Sequence, residues 1–167
     1  MNQNELIKAA RTGDKNAFAE LYIKYKDSMY RYAYFKLENE QDALDAVSSC
    51  IVEAYIGIAS VKNEKAFSSW LFKILYRRCC AVLKLRMQNR NTLNIDEMEI
   101  PTDSGNTVSV ELREALATLS EEEKDIVLLS AVAGYSSKEI SQIIKLKPAT
   151  VRSKLSRSLA KMREFLR

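Results

Sequence analysis

The chain has 167 residues, a formal net charge of +4, 47% hydrophobic residues and 29% charged residues. This length suits one compact domain or two small ones, and no run of residues approaches the ~18 consecutive apolar positions that a membrane span needs. The sequence contains no histidine, so it lacks the commonest general base and the commonest metal ligand.

Composition also constrains the fold and the compartment. Four glycines and two prolines, with almost no period-two alternation, predict an all-α protein. The opening residues carry neither a charged leader nor the apolar core of a signal peptide, so we expect a cytoplasmic protein without membrane insertion. The sequence has no Gly-rich phosphate loop and no nucleophile elbow. We therefore expect no enzyme activity, no small-molecule substrate, no cofactor and no metal.

The three cysteines, Cys50, Cys79 and Cys80, lie inside helical patterns and lack metal-site spacing. Adjacent cysteines are poor candidates for a disulfide, so we expect reduced, buried thiols that act as small apolar side chains. A redox sensor is the less favoured interpretation.

Residues 1–90 are predicted to form four helices. A short first helix ends at Gly13, and Asp14 caps a long second helix with an apolar stripe at helical spacing. The third helix begins after Asn39, and the fourth follows a break in the pattern at residues 60–66.

The third helix is predicted to have one apolar and one polar face. The inward residues are Leu44, Val47, Cys50, Ile51, Ala54, Tyr55 and Ile58. The outward residues are Asp42, Asp45, Ser48 and Ser49.

The fourth helix carries bases without acids from Lys73 to Arg90, and aromatic residues are interleaved at its start. Bases beside aromatics can hold single-stranded DNA by charge and stacking. The alternative is that the aromatics are core and the bases only solvate the surface. We favour core for Trp70, and DNA contact for the bases because the second half of the chain implies it. The aromatics are Trp70, Phe72 and Tyr76, and the bases are Lys73, Arg77, Arg78, Lys84, Arg86 and Arg90.

Charge divides the chain into three parts. Residues 1–90 and 111–167 are both net basic, whereas residues 91–110 contain four acids and no base. The middle part also contains Pro101 and Gly105 and has no amphipathic period. We therefore predict two small helical domains joined by an acidic, flexible linker.

The stretch from Ser120 to Arg163 predicts a helix-turn-helix unit that binds duplex DNA. Ser120 with Glu123, and Ser136 with Glu139, form two capping boxes that begin two helices. Three further signals complete the pattern: Gly134 as the stop of the first helix, a turn at residues 145–147, and Pro148 at the first position of a third helix.

The third helix of this unit is predicted to read DNA. Its apolar stripe is Val151, Leu155, Leu159 and Met162. The residues from Lys145 to Arg163 include seven bases and no acid. A solvated basic helix is the alternative, but the combined pattern favours a recognition helix. The predicted DNA-facing residues are Thr150, Arg152, Ser153, Lys154, Ser156, Arg157 and Lys161.

The chain resembles the extracytoplasmic-function (ECF) group of bacterial RNA polymerase sigma factors. The resemblance rests on GDKNAFAELYIKYKDSMYRYAYFKL (13–37), DALDAV (42–47), FSSWLFKIL (67–75) and the helix-turn-helix unit. It implies that residues 1–90 are a region 2-like domain and that residues 111–167 are a region 4-like domain. A member of this group is a subunit of RNA polymerase and not an enzyme in its own right.

The resemblance also implies partners and sites. Region 2 would bind the clamp coiled coil of core polymerase, region 4 would bind its flap, and an anti-sigma factor is a further candidate partner. Promoter DNA would be read at the minus-thirty-five element by the recognition helix. The minus-ten element would be opened by a base-capturing loop at 60–66 and by the fourth helix. The implied polymerase-binding residues are Asp42, Asp45, Ser48 and Ser49. The implied minus-ten residues are Lys62, Asn63, Lys65, Lys73, Arg77, Arg78 and Lys84.

The chain departs from the family pattern at several positions. Ser48 and Ser49 stand where an amide and a carboxylate are common, which predicts a polymerase affinity that is either reduced or differently distributed over the contact. Arg77 and Ala81 replace an Asn and an Asp, which predicts a different minus-ten preference. Lys145 stands where Gly is frequent, which is tolerable if its backbone stays right-handed.

Two other hypotheses remain open from the sequence. One is a self-sufficient, dimeric DNA-binding regulator that uses only the helix-turn-helix unit. The other is a module that sequesters a partner without DNA. Polymerase binding by residues 1–90 would separate the sigma-factor hypothesis from both.

Overall fold

A computed structural model describes residues 1–92 and 110–167, and these residues form eight α-helices without a strand. Two short 3-10 turns, Ile58–Ser60 and Glu64–Ala66, connect the third helix to the fourth. The helices are α1 (Gln3–Arg11), α2 (Lys15–Leu37), α3 (Glu40–Gly57), α4 (Phe67–Thr92), α5 (Val110–Ala117), α6 (Glu121–Ala131), α7 (Ser137–Ile144) and α8 (Pro148–Phe165).

Three of these helices, α2, α6 and α7, begin at the side-chain caps that the sequence predicted. The Asp14 carboxylate accepts from the backbone amides of Asn16 and Ala17. Both predicted capping boxes form, at Ser120 and at Ser136. Pro148 stands at the start of α8, where its missing N–H costs no hydrogen bond.

The first bundle consists of α1–α4. Helices α2, α3 and α4 pack on one another, and α1 packs on α2 and on both 3-10 turns. Its core is built from large side chains with almost no solvent exposure, among them Leu21, Met29, Phe67, Leu71 and Leu75. Cys50 and Cys79 are buried in it and Cys80 is half-buried, all as free thiols.

The second bundle consists of α5–α8. Helices α6 and α7 pack on α8 and on each other, and α5 contacts α8. Helix α5 was not predicted, because its eight residues are too few to display a helical period. Gly134 has φ of +76°, and its left-handed backbone ends the helical conformation after α6, as predicted.

The two bundles pack against each other. Helix α7 lies on α4, and α6 lies on α2. We call this contact the interbundle junction. Most of the predicted linker falls outside the described residues, apart from Asn91 and Thr92, which end α4, and Val110, which begins α5. Nothing in the sequence predicted the junction, because the contacting helices are far apart along the chain.

Two predicted details are wrong, and the condition stated for Lys145 is not met. Leu44 is 47% exposed, and Tyr55 is 43% exposed although its ring packs edge-on against the buried Phe18, with centroids 5.2 Å apart. Smaller residues such as Ala43 and Ala54 fill the tight contacts of α3. Leu159 is 39% exposed, and Ser158 takes the buried position on α8. Lys145 adopts φ of +57°, so its backbone is left-handed. The turn needs a left-handed residue to end α7.

Trp70, predicted as core, is half-buried and packs against the core beside Phe67, with ring centroids 6.1 Å apart. Helix α3 with the following turn, Glu40–Ser60, is long and apolar enough to cross a membrane by length and composition alone, although one-third of the tested stretch is buried. Part of this apolar character comes from side chains of α3 that are exposed to solvent, such as Val52 and Ile56. Exposed apolar side chains of this kind can form a contact surface for a partner.

Candidate nucleic-acid interface

One face of α8 carries most of the residues predicted to read duplex DNA. Arg152, Ser153, Ser156 and Arg157 are all exposed, and we call them the recognition face. The opposite side of α8 is fixed to the second bundle by Val151, which is fully buried, and by Met162. Thr150 lies half-buried at the start of the helix. The face can therefore enter a groove without disturbing the core.

Two other predicted DNA contacts on α8 are engaged by acids of α6. The Lys154 ammonium bonds to the Glu122 carboxylate. The Lys161 ammonium lies 3.4 Å from Glu123 Oε1, and the Ser158 hydroxyl donates to Glu123 Oε2 at 3.2 Å. These lysines thus help to hold α8 on α6. They stand apart from the recognition face.

Glu123 organises this contact. Its carboxylate accepts from the Ser120 backbone amide at 3.0 Å as part of the capping box. That hydrogen bond, supported by the side chains of Ser120, Ser158 and Lys161, lowers the pKa of Glu123 to about 2. The carboxylate is therefore ionised at neutral pH, and its charge also suits a helix N-terminus.

The predicted base-capturing loop is a constrained turn. Asn63 accepts from the Ala66 backbone amide at 3.0 Å, and the Ser60 hydroxyl donates to the Gly57 carbonyl at 2.7 Å. Val61 is buried and anchors the loop, whereas Lys62 and Lys65 are exposed. Arg11 of α1 lies 4.0 Å from Glu64. Hydrogen bonds within the loop and the contact with α1 therefore fix its conformation, while its two lysines remain exposed to solvent.

The predicted minus-ten bases of α4 do not form one group. Lys73 is half-buried and Lys84 is exposed. Arg77 and Arg78 instead point toward α3, where their guanidinium groups lie 3.9 Å and 3.2 Å from the Glu53 carboxylate. The structure therefore places these two arginines beside the residues predicted to bind polymerase.

A groove lies between α3 and α4, and we call it the α3 groove. Ser48 and Ser49 line it, as predicted for a polymerase contact. Leu44 lies on the same helix and is 47% exposed, and two groove residues, Val52 and Ile56, are 60% and 78% exposed. The lining consists of Ser48, Ser49, Val52, Glu53, Ile56, Gly57 and Arg78.

The two predicted acids of α3 are not part of the groove lining. Arg86 of α4 donates to Asp42 Oδ2 at 2.5 Å and to the Leu37 carbonyl at 2.7 Å, so Asp42 ties the start of α3 to α4. Asp45 is exposed and accepts from Gln41 at 3.0 Å.

Sequence reasoning missed a buried polar group at the interbundle junction. Lys36 of α2 donates to Asp125 Oδ1 of α6 at 2.5 Å, and the Tyr32 hydroxyl donates to the same oxygen at 2.8 Å. Burial raises the pKa of the Asp125 carboxyl, while the Lys36 ammonium opposes that shift. One signal was available: Lys36 and Asp125 each interrupt an apolar stripe, as a paired buried charge does.

Comparison with known proteins agrees with the two-bundle organisation. Residues 21–89 match the family described as Sigma-70 region 2, and residues 109–162 match Sigma-70, region 4. The chain is 32% identical over 142 residues to the RNA polymerase sigma factor SigV of Bacillus subtilis, covering 83% of this chain and 84% of that protein. This chain belongs to the ECF sigma factors.

Other ECF sigma factors align over nearly its whole length. SigM of Mycobacterium tuberculosis is 26% identical over 164 residues, covering 97% of this chain and 83% of that protein. The same fold occurs in CnrH, solved with the cytosolic domain of CnrY, at a TM-score of 0.76 and 19% identity over 98% of this chain and 96% of that one. It also occurs in RpoE of Bartonella quintana, solved with the anti-sigma factor NepR, at a TM-score of 0.74 and 20% identity over 89% and 96% of the two chains.

Proposed function

We propose that this ECF sigma factor is an alternative sigma subunit that binds core RNA polymerase and directs it to promoters with a minus-ten and a minus-thirty-five element. The observation that carries the proposal is the succession of region 2 and region 4 in one chain. A regulator that used only a helix-turn-helix unit would not need the first bundle. The chain itself performs no catalysis and acts as a soluble cytoplasmic protein.

The recognition face would read the minus-thirty-five element in the major groove. Arg152 and Arg157 can each donate two hydrogen bonds to a guanine, which discriminates against a wrong base by ~1–3 kcal/mol. Ser153 and Ser156 have short side chains that let the helix approach the base edges. The exposed Lys145 and Lys147, which precede α8, would add phosphate contacts and salt dependence.

The loop at 60–66 would hold a base extruded from the minus-ten element. Extruding a base costs a few kcal/mol of stacking and pairing, so a constrained loop that binds the extruded base favours the open duplex. The exposed Lys62 and Lys65 on either side of Asn63 supply positive charge for the phosphates of that strand.

The α3 groove would bind the clamp of core polymerase. Its hydroxyls at Ser48 and Ser49 make weak polar contacts, while Val52 and Ile56 offer exposed apolar surface. Burial of such surface favours association, while the loss of motional freedom on binding offsets part of the gain. The polymerase contact of this chain therefore depends on apolar side chains more than on the charges of Asp42 and Asp45.

Transcription in vitro with purified core polymerase tests the proposal. The wild-type chain is expected to initiate at promoters with two separated elements, as read by mapping of start sites. Ile56→Glu places an unpaired charge in the apolar contact and is expected to weaken core binding by ~10-fold or more. Ile23→Glu is the matched control, because Ile23 is exposed on α2 and lies outside the groove.

Two results would contradict the proposal. If core polymerase with this chain initiates nowhere while the chain forms a DNA-binding homodimer, it is a self-sufficient regulator. If neutral replacement of Arg152 and Arg157 leaves activity intact, the recognition face does not read DNA. Because the similar proteins CnrH and RpoE were solved with CnrY and with the anti-sigma factor NepR, we also propose an anti-sigma factor as a partner of this chain.

A further inference from the structure

The first turn of α6 consists of three consecutive acids, residues 121–123, which we call the acidic turn. Two of these acids face α8. The Glu122 carboxylate is bonded to the Lys154 ammonium, and both carboxylate oxygens of Glu123 lie 3.4 Å from the Lys161 ammonium. Two bases of the DNA-reading helix are therefore held by acids of a neighbouring helix.

The lysines that the acidic turn holds form their own stripe on α8. Lys154, Ser158 and Lys161 are spaced by four and three residues, and the Ser158 hydroxyl also donates to Glu123 Oε2 at 3.2 Å. At ~100° per residue, the centre of this stripe lies ~140° around the helix from the centre of the recognition face. Arg157 borders both surfaces, since it also lines the cleft between α6 and α8. A duplex that meets the recognition face therefore meets the acid-held lysines only at its margin.

The arginines of the recognition face are placed differently. Arg152 is exposed, and Arg157 Nε donates to the Ser153 carbonyl of its own helix at 3.4 Å. Neither arginine is paired with an acid among the described residues. The charges of α8 thus fall into two groups: arginines that can reach a base edge, and lysines whose charge a carboxylate offsets.

A lysine that is paired with a carboxylate contributes little to sequence-independent DNA binding. Each phosphate that a protein cation neutralises steepens the dependence of log affinity on log salt by ~0.9 on duplex DNA, because condensed counter-ions are released. The pair of Glu122 and Lys154 has no net charge, so a nearby phosphate gains little from it. Glu123 is ionised at neutral pH, so the same holds for Lys161. Both pairs are partly exposed and add only modestly to stability, so their main effect is on the electric field that DNA meets.

The two groups of charges matter in different binding modes. On a promoter, base contacts fix the register and rotation of α8, so the acid-held stripe stays away from the bases. On any other duplex no base contact fixes the helix, and it can turn to bring its cations to the phosphates. Offsetting the charges of that stripe therefore weakens the second mode more than the first. Because a genome offers a very large excess of non-promoter sites, the ratio of the two affinities decides promoter occupancy.

We propose that Glu122 and Glu123 are specificity-determining residues, which hold Lys154 and Lys161 away from DNA phosphates and so weaken binding to duplexes without a promoter. This role rests on the proposed function, because it concerns how the recognition face discriminates between sequences. The underlying charge effect can be measured on DNA of random sequence without polymerase.

Binding of the full chain to a random-sequence duplex, followed by fluorescence anisotropy between ~50 and ~200 mM salt, tests the charge effect. Glu122→Gln releases the Lys154 charge. It is expected to steepen the salt slope by ~0.9 and to raise the affinity at the lowest salt by ~2–5-fold. Glu20→Gln is the matched control, because it makes the same change of charge at an exposed position of α2 and is expected to leave the slope unchanged.

A double variant decides whether Lys154 contacts a phosphate in the wild type. If Glu122 offsets its charge, Glu122→Gln combined with Lys154→Gln returns the slope and the affinity to the wild-type values. A double variant that binds more weakly than the wild type would show that Lys154 already neutralises a phosphate, which would overturn the proposal. An unchanged slope in Glu122→Gln would overturn it as well, as would failure of both the wild type and Glu122→Gln to bind duplex at ~50 mM salt.

Glu123→Gln extends the test to the second pair. Gln can keep the capping-box hydrogen bond to Ser120 but not the charge that holds Lys161, and circular dichroism checks that α6 stays folded. Added to Glu122→Gln, this substitution is expected to bring the total change in salt slope to ~1.8. A total that stays at ~0.9 would overturn the assignment of Glu123.

Competition during transcription tests the effect on specificity. With core polymerase and a promoter found by mapping of start sites, random-sequence duplex is added until initiation falls by half. Glu122→Gln is expected to lower the required competitor concentration by ~2–5-fold relative to the wild type and to Glu20→Gln. Unchanged competition would mean that promoter and random duplex gain equally, which would overturn the specificity role. Absence of initiation with the wild type and every variant would refute the proposed function and this role with it, while the salt slopes on random duplex would still decide whether the acids offset the lysine charges.

Discussion

The two bundles are stabilised in different ways. The first bundle is built on long helices of 23, 18 and 26 residues that share a continuous apolar core. The second has helices of 8, 11 and 8 residues before α8. Isolated helices shorter than ~12–15 residues are marginal in water, so the second bundle depends more on its caps and on its contact with the first.

This contrast predicts that core packing dominates the stability of the first bundle. Leu75 is fully buried in α4, and Leu75→Ala is expected to lower the free energy of unfolding by ~2–5 kcal/mol through lost burial and a residual cavity. Leu85→Ala is the control on the same helix, because Leu85 is 57% exposed and its truncation should change stability by ~0.5 kcal/mol or less.

Urea denaturation can assign that loss to a bundle. The chain has a single tryptophan, Trp70, which lies in the first bundle and reports its unfolding by fluorescence. Far-UV circular dichroism reports the helices of both bundles. Because α4 supports α7, the Leu75→Ala midpoint should fall by both probes. If the midpoint falls by circular dichroism but not by Trp70 fluorescence, Leu75 does not stabilise the first bundle, and the proposed contrast between the bundles is wrong.

The starts of the helices, which depend on neighbouring residues only, could be predicted from the sequence. Capping boxes act within four residues, so Ser120 and Ser136 identified the starts of α6 and α7 without tertiary information. Burial on α3 and α8 could not be predicted as well. Leu44 and Leu159 sit on apolar stripes, yet the helices rotate so that Ala43 and Ser158 fill the narrow contacts.

The site was predictable to a different extent on each helix. The recognition face followed from the helical period of α8 and is exposed as expected. Lys154 and Lys161 belong to the same basic run, but their acidic partners on α6 lie more than 30 residues away. The pairing of Lys36 with Asp125 spans 89 residues. Contacts of that separation depend on how the bundles dock, and no local pattern encodes docking.

A smaller effect is expected at the caps of the second bundle. The pKa of Glu123 is lowered to about 2 in the folded chain, chiefly by the Ser120 backbone hydrogen bond. Its contribution to stability is therefore present above the unfolded pKa near 4.5 and is lost as the pH falls toward 2. Gln can keep the capping-box hydrogen bond but not the charge, so we expect Glu123→Gln to destabilise by ~0.3–1 kcal/mol at neutral pH.

The pH dependence of unfolding distinguishes the contribution of the Glu123 carboxylate from those of the other carboxylates. The stability difference between the wild type and Glu123→Gln should shrink as the pH is lowered from 4.5 toward 2. Glu164→Gln removes an exposed carboxylate and should follow the wild type throughout. A difference between wild type and Glu123→Gln that stays constant with pH would mean that the variant acts by packing and not through the charge of the capping box.

The smallest expected effect tests whether the second bundle also contains strain. Lys145 ends α7 with φ of +57° and ψ of +47°, a conformation that glycine adopts more readily than residues with a Cβ. Lys145→Gly is expected to stabilise the chain by ~0.5–1 kcal/mol, since relief of the strain exceeds the greater entropy of glycine in the unfolded state.

Lys138→Gly is the control: it makes the same substitution inside α7, where the backbone is right-handed, and is expected to destabilise by ~0.5–1 kcal/mol. Thermal unfolding of both variants by circular dichroism decides the sign. If Lys145→Gly also destabilises, the left-handed turn is not strained, and strain does not add to the marginal stability that is expected of short helices.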